Sequence, residues 1–203
     1  DLKALRYTCE NGTDLLLELP EGHIWLGGEE SSKDGTIFNA NIPTEEVFSA
    51  PQYNGVNGIV YSTKPLIYHG NTISDFSFTF KEGKIVEYTA KEGYEVLKEL
   101  VETDEGSHYL GEVALVDHFS PISQSNQIFF ETLFDENASC HLAIGASYPT
   151  CLKDSNGLSE EELKERGLNH SLTHVDFMIG HERMNIKGYT RDGQEVEIMI
   201  DGR

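Results

Sequence analysis

The sequence predicts a strand-rich α+β fold, a mixed β-sheet or pseudo-barrel capped by two or three helices. Three observations predict it. Short runs rich in β-branched and aromatic residues recur along the chain, separated by turn pairs such as Asn11-Gly12, Glu82-Gly83 and Asp192-Gly193. Only a few stretches switch to the helical period. No internal repeat, low-complexity linker or apolar run of membrane-spanning length interrupts the pattern, so residues 1–203 read as a single domain.

Residues 5–9 and 15–19 form the first predicted hairpin, around Asn11-Gly12. Residues 23–26 add a short strand ending in Gly27-Gly28, and residues 29–36 have loop composition. The segment 41–51 carries acids between Pro43 and Pro51, which predicts a turn or a single helical turn near the surface rather than a central strand. Strands follow over 59–63, 73–80 and 84–88, with Phe76, Phe78 and Phe80 on one face. Tyr94, Leu97, Leu100 and Val101 share one side of a helix within 93–104. A strand over 109–116 is interrupted by one carboxylate, Glu112, and a second helix is expected over 125–135 with Ile128, Phe129 and Leu133 inward. Residues 141–145 and 174–180 are apolar strands. Between them Ser159, with Glu162 three residues on, marks the start of a short helix. A hairpin around Asp192-Gly193 closes the chain.

Thirty-five acids against fifteen bases give a formal net charge of −20. Such a field repels phosphate backbones, which argues against nucleic acid, and suits metal ions and free amines. Carboxylates that merely face water would produce the same composition. Three cysteines, Cys9, Cys140 and Cys151, form no C-x-x-C pair. That count argues against a disulfide framework or an all-cysteine zinc site and fits a reducing, cytoplasmic setting, with no membrane segment. The chain starts at Asp1 rather than Met, as a fragment or processed product would.

The densest chemistry lies in residues 134–149, which hold Asp135, Glu136, Cys140, His141 and Tyr148. Cys140-His141 is open to three readings: a nucleophile with its base, part of a metal site, or two core residues. Neighbours on a strand face opposite sides, which disfavours the nucleophile pair and leaves Cys140 to pack. Elsewhere Glu112 sits inside an apolar strand, where an unpaired carboxylate costs several kcal/mol and must be protonated, paired or bound to metal. His174 and Asp176, two apart on a strand, share a face. Glu45-Glu46 occupies the proline-bracketed turn. Each has a bland alternative: a hydrogen-bonded core histidine, a salt-bridged Glu112, a solvated acidic turn. Together, carboxylates with imidazoles and no thiolate pair suit Zn²⁺, Co²⁺ or Mn²⁺ in a hydrolytic site.

Four segments then carry a resemblance: Asn41-Ile42-Pro43-Thr44-Glu45-Glu46-Val47-Phe48, Gly111-Glu112-Val113-Ala114-Leu115-Val116, the run Leu133-Phe134-Asp135-Glu136-Asn137-Ala138-Ser139-Cys140-His141-Leu142-Ala143-Ile144-Gly145, and His174-Val175-Asp176-Phe177-Met178-Ile179-Gly180. In kind and order they resemble the signature segments of the M29 metallo-aminopeptidases, the thermophilic type that includes aminopeptidases S and T. The resemblance implies a centre of two divalent metal ions with Glu46, Glu112, Glu136, His141, His174 and Asp176 as ligands and Tyr148 as a catalytic residue. It implies cleavage of the N-terminal peptide bond of peptides with a free N-terminus, and a homodimer. It also makes this chain the C-terminal, metal-bearing part of a longer two-domain protein.

On that basis Glu112 is expected to bridge two metals that activate a hydroxide, and Tyr148 to donate a hydrogen bond to the oxyanion. Adjacency to Glu46 suggests Glu45 as a general base. The competing expectation is a non-catalytic, metal-stabilised β-rich module for docking or dimerisation.

Overall fold

The structure, a computed structural model, describes residues 1–39, 41–42 and 44–203; Pro43 of the predicted turn lies outside the described residues. Strand β1 (Leu2–Thr8) turns at Asn11-Gly12 into β2 (Asp14–Glu18), the hairpin its turn pair predicts. Three short strands follow, β3 (Leu26–Gly27), β4 (Glu30–Ser31) and β5 (Ile37–Phe38), and then β6 (Val47–Ser49). β7 (Val56–Tyr61), β8 (Leu66–Tyr68), β9 (Asn71–Ile73), β10 (Ser77–Lys81) and β11 (Lys84–Thr89) lead to helix α1 (Tyr94–Val101). Next come β12 (Leu110–Leu115), the four-residue helices α2 (Pro121–Gln124) and α3 (Thr132–Asp135), and β13 (His141–Gly145). Helix α4 (Glu160–Glu165), β14 (His174–Met178), β15 (Asn185–Thr190) and β16 (Glu195–Met199) complete the chain. Helix α4 starts with the predicted capping box: Ser159 accepts from the Glu162 amide while Glu162 accepts from the Ser159 amide.

Two sheets organise the domain, one of seven strands in the order β11-β10-β7-β2-β1-β15-β16 and one of five in the order β14-β13-β12-β6-β3. Their strands pair antiparallel throughout, and both sheets are open-edged, so the strand-rich α+β class holds, with no closed barrel among the described residues. One face of each sheet lines a common core. Leu5, Tyr7, Leu15, Leu17 and Phe78 come from the larger sheet, and Val113, Leu142, Ile144 and Phe177 from the smaller. The Phe78 and Phe177 rings meet across the layers at 5.1 Å, and Phe76 lies 5.9 Å from Phe177. Such pairs add about 0.5–1.5 kcal/mol each beyond their buried area. Leu97, Leu100 and Val101 of α1 are buried in this core, on the face their spacing predicts.

Two expectations need correction. The 125–135 stretch is not one helix. Asp135 accepts from the Phe129 and Glu131 amides, and Asn126 and Phe130 take left-handed φ values of 52° and 58°. A side chain has captured the N–H groups that a helix would have used, and Ile128, Phe129 and Leu133 are exposed. The proline-bracketed segment, in turn, is not only a turn: β6 sits inside the smaller sheet, paired with both β12 and β3. Only three residues long, it ends before Pro51 and keeps its ladder bonds.

The smaller sheet's second face is the one that matters for function. Glu112, Ala143 and Asp176 stand in one cross-strand row, and Ala114, His141 and Met178 in the next. A register shift between Leu110 and Glu112 lets Leu110 point into the core while Glu112 points away from it. The shift places Gly111 against the opposite backbone, where an added Cβ would lie 2.2 Å from the Ala146 carbonyl oxygen and 2.4 Å from that of Gly145. Gly111→Ala should therefore destabilise the domain by about 1–3 kcal/mol, as overpacking does, read as a lower urea midpoint. It should also weaken cation binding by displacing Glu112, whereas Gly193→Ala, at a turn with open space around the Cβ, should leave cation binding unchanged.

Candidate metal centre

Each candidate ligand reaches the centre for a local reason. His141, Asp176 and Glu112 project from neighbouring strands on the non-core face, and His174, two residues before Asp176, projects from the same side of β14. Glu46 immediately precedes β6, two residues before Phe48, which pairs with Ala114. Alternation therefore puts Glu46 on the same face. Glu136 comes from a different kind of element, a 3-10 turn (Glu136–Ala138) that follows α3.

The side chains converge. His141 Nε2 lies 3.3 Å from Glu46 Oε1 and 3.4 Å from Glu112 Oε1. His174 Nε2 lies 3.7 Å from Glu112 Oε2 and 3.5 Å from Asp176 Oδ1. Three overlapping groups have ligand atoms within 4.8 Å of one another: Glu46 with Glu112 and His141, Glu112 with His174 and Asp176, and Glu136 with His141 and Asp176. All six residues predicted as ligands are brought together.

Hydrogen bonding fixes which imidazole nitrogen faces the cluster. His141 Nδ1 donates to the Ser139 carbonyl at 2.9 Å, and His174 Nδ1 to the Ala146 carbonyl at 2.7 Å. A carbonyl only accepts, so both Nδ1 atoms carry protons and it is Nε2 of each ring that faces the cluster, the atom whose proton a cation would replace. The approaches to His141 Nε2 are ion-pair distances without hydrogen-bond alignment. That atom and Asp176 Oδ1 are buried without a hydrogen-bond partner. Unsatisfied buried atoms are costly, and here they are the donor atoms a divalent cation takes. Nitrogen and carboxylate oxygen donors fit Zn²⁺, Co²⁺ or Mn²⁺.

The electrostatics agree. Burial alone would lower the His141 imidazole, but the Glu112 and Glu46 carboxylates hold it well above the usual histidine value. Against the lowering effect of burial, Asp176 and Glu112 raise His174 to about 9. Burial, then the negative charge of Asp176, pushes Glu136 up to about 9. Burial also raises Glu112, partly offset by His141. Excess protons are held across the cluster, the response of crowded carboxylates with no lysine or arginine beside them among the described residues.

Tyr148 stands at the edge, 48% exposed, with its ring 4.8 Å from that of His174 and edge-on to Phe48 at 6.4 Å. Burial and the charges of Glu112 and Asp176 keep its phenol protonated. The centre opens into a cavity of about 910 Å³ whose wall includes Leu26, Phe48, Tyr68 and Leu133. Glu45 is exposed and lies outside that wall, so it is the one predicted site residue not brought to the cluster. Cys140 is buried on the core side, its thiol bonded to the Val116 backbone and pushed up to about 11 by burial, as a packing residue should be. All three cysteines are free. Sequence reasoning passed over the Ser139 and Ala146 carbonyls, which no side-chain pattern reveals, and Asn41, which lies within a quoted segment but carries no metal-ligand signal.

A family model described as thermophilic metalloprotease (M29) matches residues 1–203. The chain is 57% identical over 199 residues to aminopeptidase AmpS of Bacillus subtilis (strain 168), covering 98% of this chain and 48% of that protein. It is 46% identical over 192 residues to aminopeptidase T of Thermus aquaticus, covering 95% and 47%. The structure of wild-type AmpT from Thermus thermophilus superposes with a TM-score of 0.93 at 44% identity, over 100% of this chain and 49% of that one. The chain thus spans about half the length of the curated relatives it matches.

The raised values of His174 and Glu136 set a pH dependence for the metal-stripped protein. The His174 contribution is fully present below its unfolded value of 6.5 and is lost as pH rises through about 9. Folded Glu136 keeps its proton to about 9 although its unfolded value is 4.5, so stability again falls as pH rises between the two. With chelator present, the urea midpoint should drop from about pH 6 to about pH 9; excess Zn²⁺ should remove the drop by displacing those protons.

Proposed function

The chain belongs to the thermophilic metalloprotease (M29) family, and from that premise we propose that it is the metal-bearing part of a metal-dependent aminopeptidase with a two-cation centre. The observation that supports this best is the disposition of Glu112. Its Oε1 turns to His141 and its Oε2 to His174, so the two oxygens of one carboxylate serve two separate nitrogen donors. So placed, Glu112 would hold two cations at once, one through each oxygen. Glu46 and His141 complete one side, and His174 and Asp176 the other. Glu136, within reach of His141 and Asp176, is the sixth ligand. We assign the ions as Zn²⁺, Co²⁺ or Mn²⁺ on the donor set.

When bound, such ions supply an activated water and polarise the scissile carbonyl. The chain's own groups do the rest. The chain's net charge of −20 favours the cationic α-amine of a peptide's free N-terminus, and selection of that amine would confine cleavage to the first peptide bond. The Tyr148 phenol, protonated and at the cavity edge, donates a hydrogen bond to the oxyanion of the tetrahedral intermediate. Its ring stays in place against His174 and Phe48. Proton transfer to the leaving amine is assigned to Glu45, the role least supported by position, because its carboxylate is exposed beside Glu46 rather than in the wall. We further propose a cytoplasmic homodimer acting on peptides; no helix of the described residues is long and apolar enough to cross a membrane. A non-catalytic docking module is not favoured, since a closed structural site has no use for a cavity of about 910 Å³ above its ligands.

Aminoacyl-anilides tested with the intact protein should release amino acid only with divalent metal, and N-acetylated analogues should be resistant. Glu112→Ala should lose both cation uptake and turnover; retention of either removes the bridge. Tyr148→Phe should lower kcat by about 10²–10³, with KM little changed. Normal turnover in Glu45→Gln would remove the base assignment.

A further inference from the structure

Four of the six ligands stand on strands, and Glu46 adjoins one, so the sheet ladder sets their positions. Glu136 has no ladder to hold it. We propose that Asn41 is the positioning residue that orients Glu136 towards the cation, by tying the segment before β6 to the turn after α3. This inference rests on the reading of Glu136 as a ligand.

The geometry is specific. The Asn41 side-chain amide nitrogen donates to Glu136 Oε1 at 3.2 Å and to the Leu133 carbonyl at 2.7 Å. These partners lie 95 and 92 residues away in sequence, so one amide joins two remote loops. Both of its N–H bonds are used, and the Leu133 carbonyl can only accept. The orientation of the amide is therefore settled by that carbonyl: the reverse orientation would set Oδ1 against its oxygen at 2.7 Å. Asn137, itself 1% exposed, donates to the same Leu133 carbonyl at 2.9 Å, which anchors the turn from its other side. With the turn anchored, the bond to Oε1 occupies one carboxylate oxygen and leaves the other for the cation. Asn41 and Asn137 both line the cavity, so this clamp lies in the wall of the site itself. Outer groups that orient a ligand in this way typically contribute about 10–100-fold to metal affinity.

Volume alone cannot do this; a donor is needed. In Asn41→Asp the shape is kept and the donor becomes an acceptor facing two acceptors. The test titrates metal-stripped intact protein with Zn²⁺ by calorimetry, alongside the urea midpoint of each metal-free variant. Asn41→Ala should weaken the uptake of at least one ion by about 10–100-fold. Asn41→Asp should weaken it at least as much, with the metal-free midpoint little changed in either. In a Glu136→Gln background, Asn41→Ala should have no further effect, because residues that act through one another are non-additive. Wild-type affinity in Asn41→Asp, or a full additional loss in the double variant, would overturn the inference. A wild-type protein that takes up no Zn²⁺, or a Glu136→Gln variant that binds as wild type, removes the ligand reading beneath it and the inference falls with that reading.

Discussion

Four carboxylates and two imidazoles, packed on one buried face of a sheet, form the constraint on which this structure turns. Taken out of water, like charges at such separations repel strongly, and an ionised carboxylate without a partner is costly. Nothing cationic from the protein's lysines or arginines enters the cluster among the described residues; the surface pairs Arg6–Asp14 and Lys187–Glu195 lie elsewhere. Protons on His141, His174, Glu136 and Glu112 relieve it from within, which is why each of these groups is held above its ordinary range. In the proposed centre, two divalent cations would relieve the same strain with four positive charges. The two Nδ1 bonds to backbone carbonyls leave Nε2 as the nitrogen that can gain or lose its proton without breaking a contact.

The sheet makes the arrangement rigid by giving every ligand strand a second use. Val113, Leu142 and Phe177 form one cross-strand row facing the core, alternating with the row of Glu112, Ala143 and Asp176 that faces the centre. Ala143, between two carboxylates, is small enough to leave the space above it free. A change at Val113, Leu142 or Phe177 is therefore felt at Glu112, His141 or Asp176 through a single peptide link rather than through a flexible side chain. The bulge at Gly111 is part of the same device. It reverses the facing of β12 in one step, so that Leu110 can pack while Glu112 serves the centre.

What could be read in the sequence follows the range of the interactions. His174 and Asp176 were legible because a strand alternates with period two, and Glu112 because a lone carboxylate in an apolar run demands a reason. The capping box at Ser159 and the hairpin at Asn11-Gly12 were legible for the same cause, as local chemistry. Glu136 was reachable only through family resemblance, since a 3-10 turn has no periodicity to place it. The 125–131 stretch was misread because its apolar spacing imitates a helix, while the decisive contact, Asp135 to two amides, lies outside any hydrophobic pattern. Nor can a pattern say that the strands leave their sheets open.

Asn41 marks the limit of such reading most clearly. An asparagine before a proline-bracketed acidic pair looks like a turn residue, and no rule of spacing connects it to a carboxylate 95 residues later. Its importance arises because sheets and loops place ligands with different precision. A ladder fixes side-chain direction through many backbone bonds at once, whereas a single turn must be held by whatever side chains reach it. The proposed centre, with five candidate ligands on strands or their margins and one on a turn, would need its extra hydrogen bonds at that one, and that is where Asn41 and Asn137 place theirs.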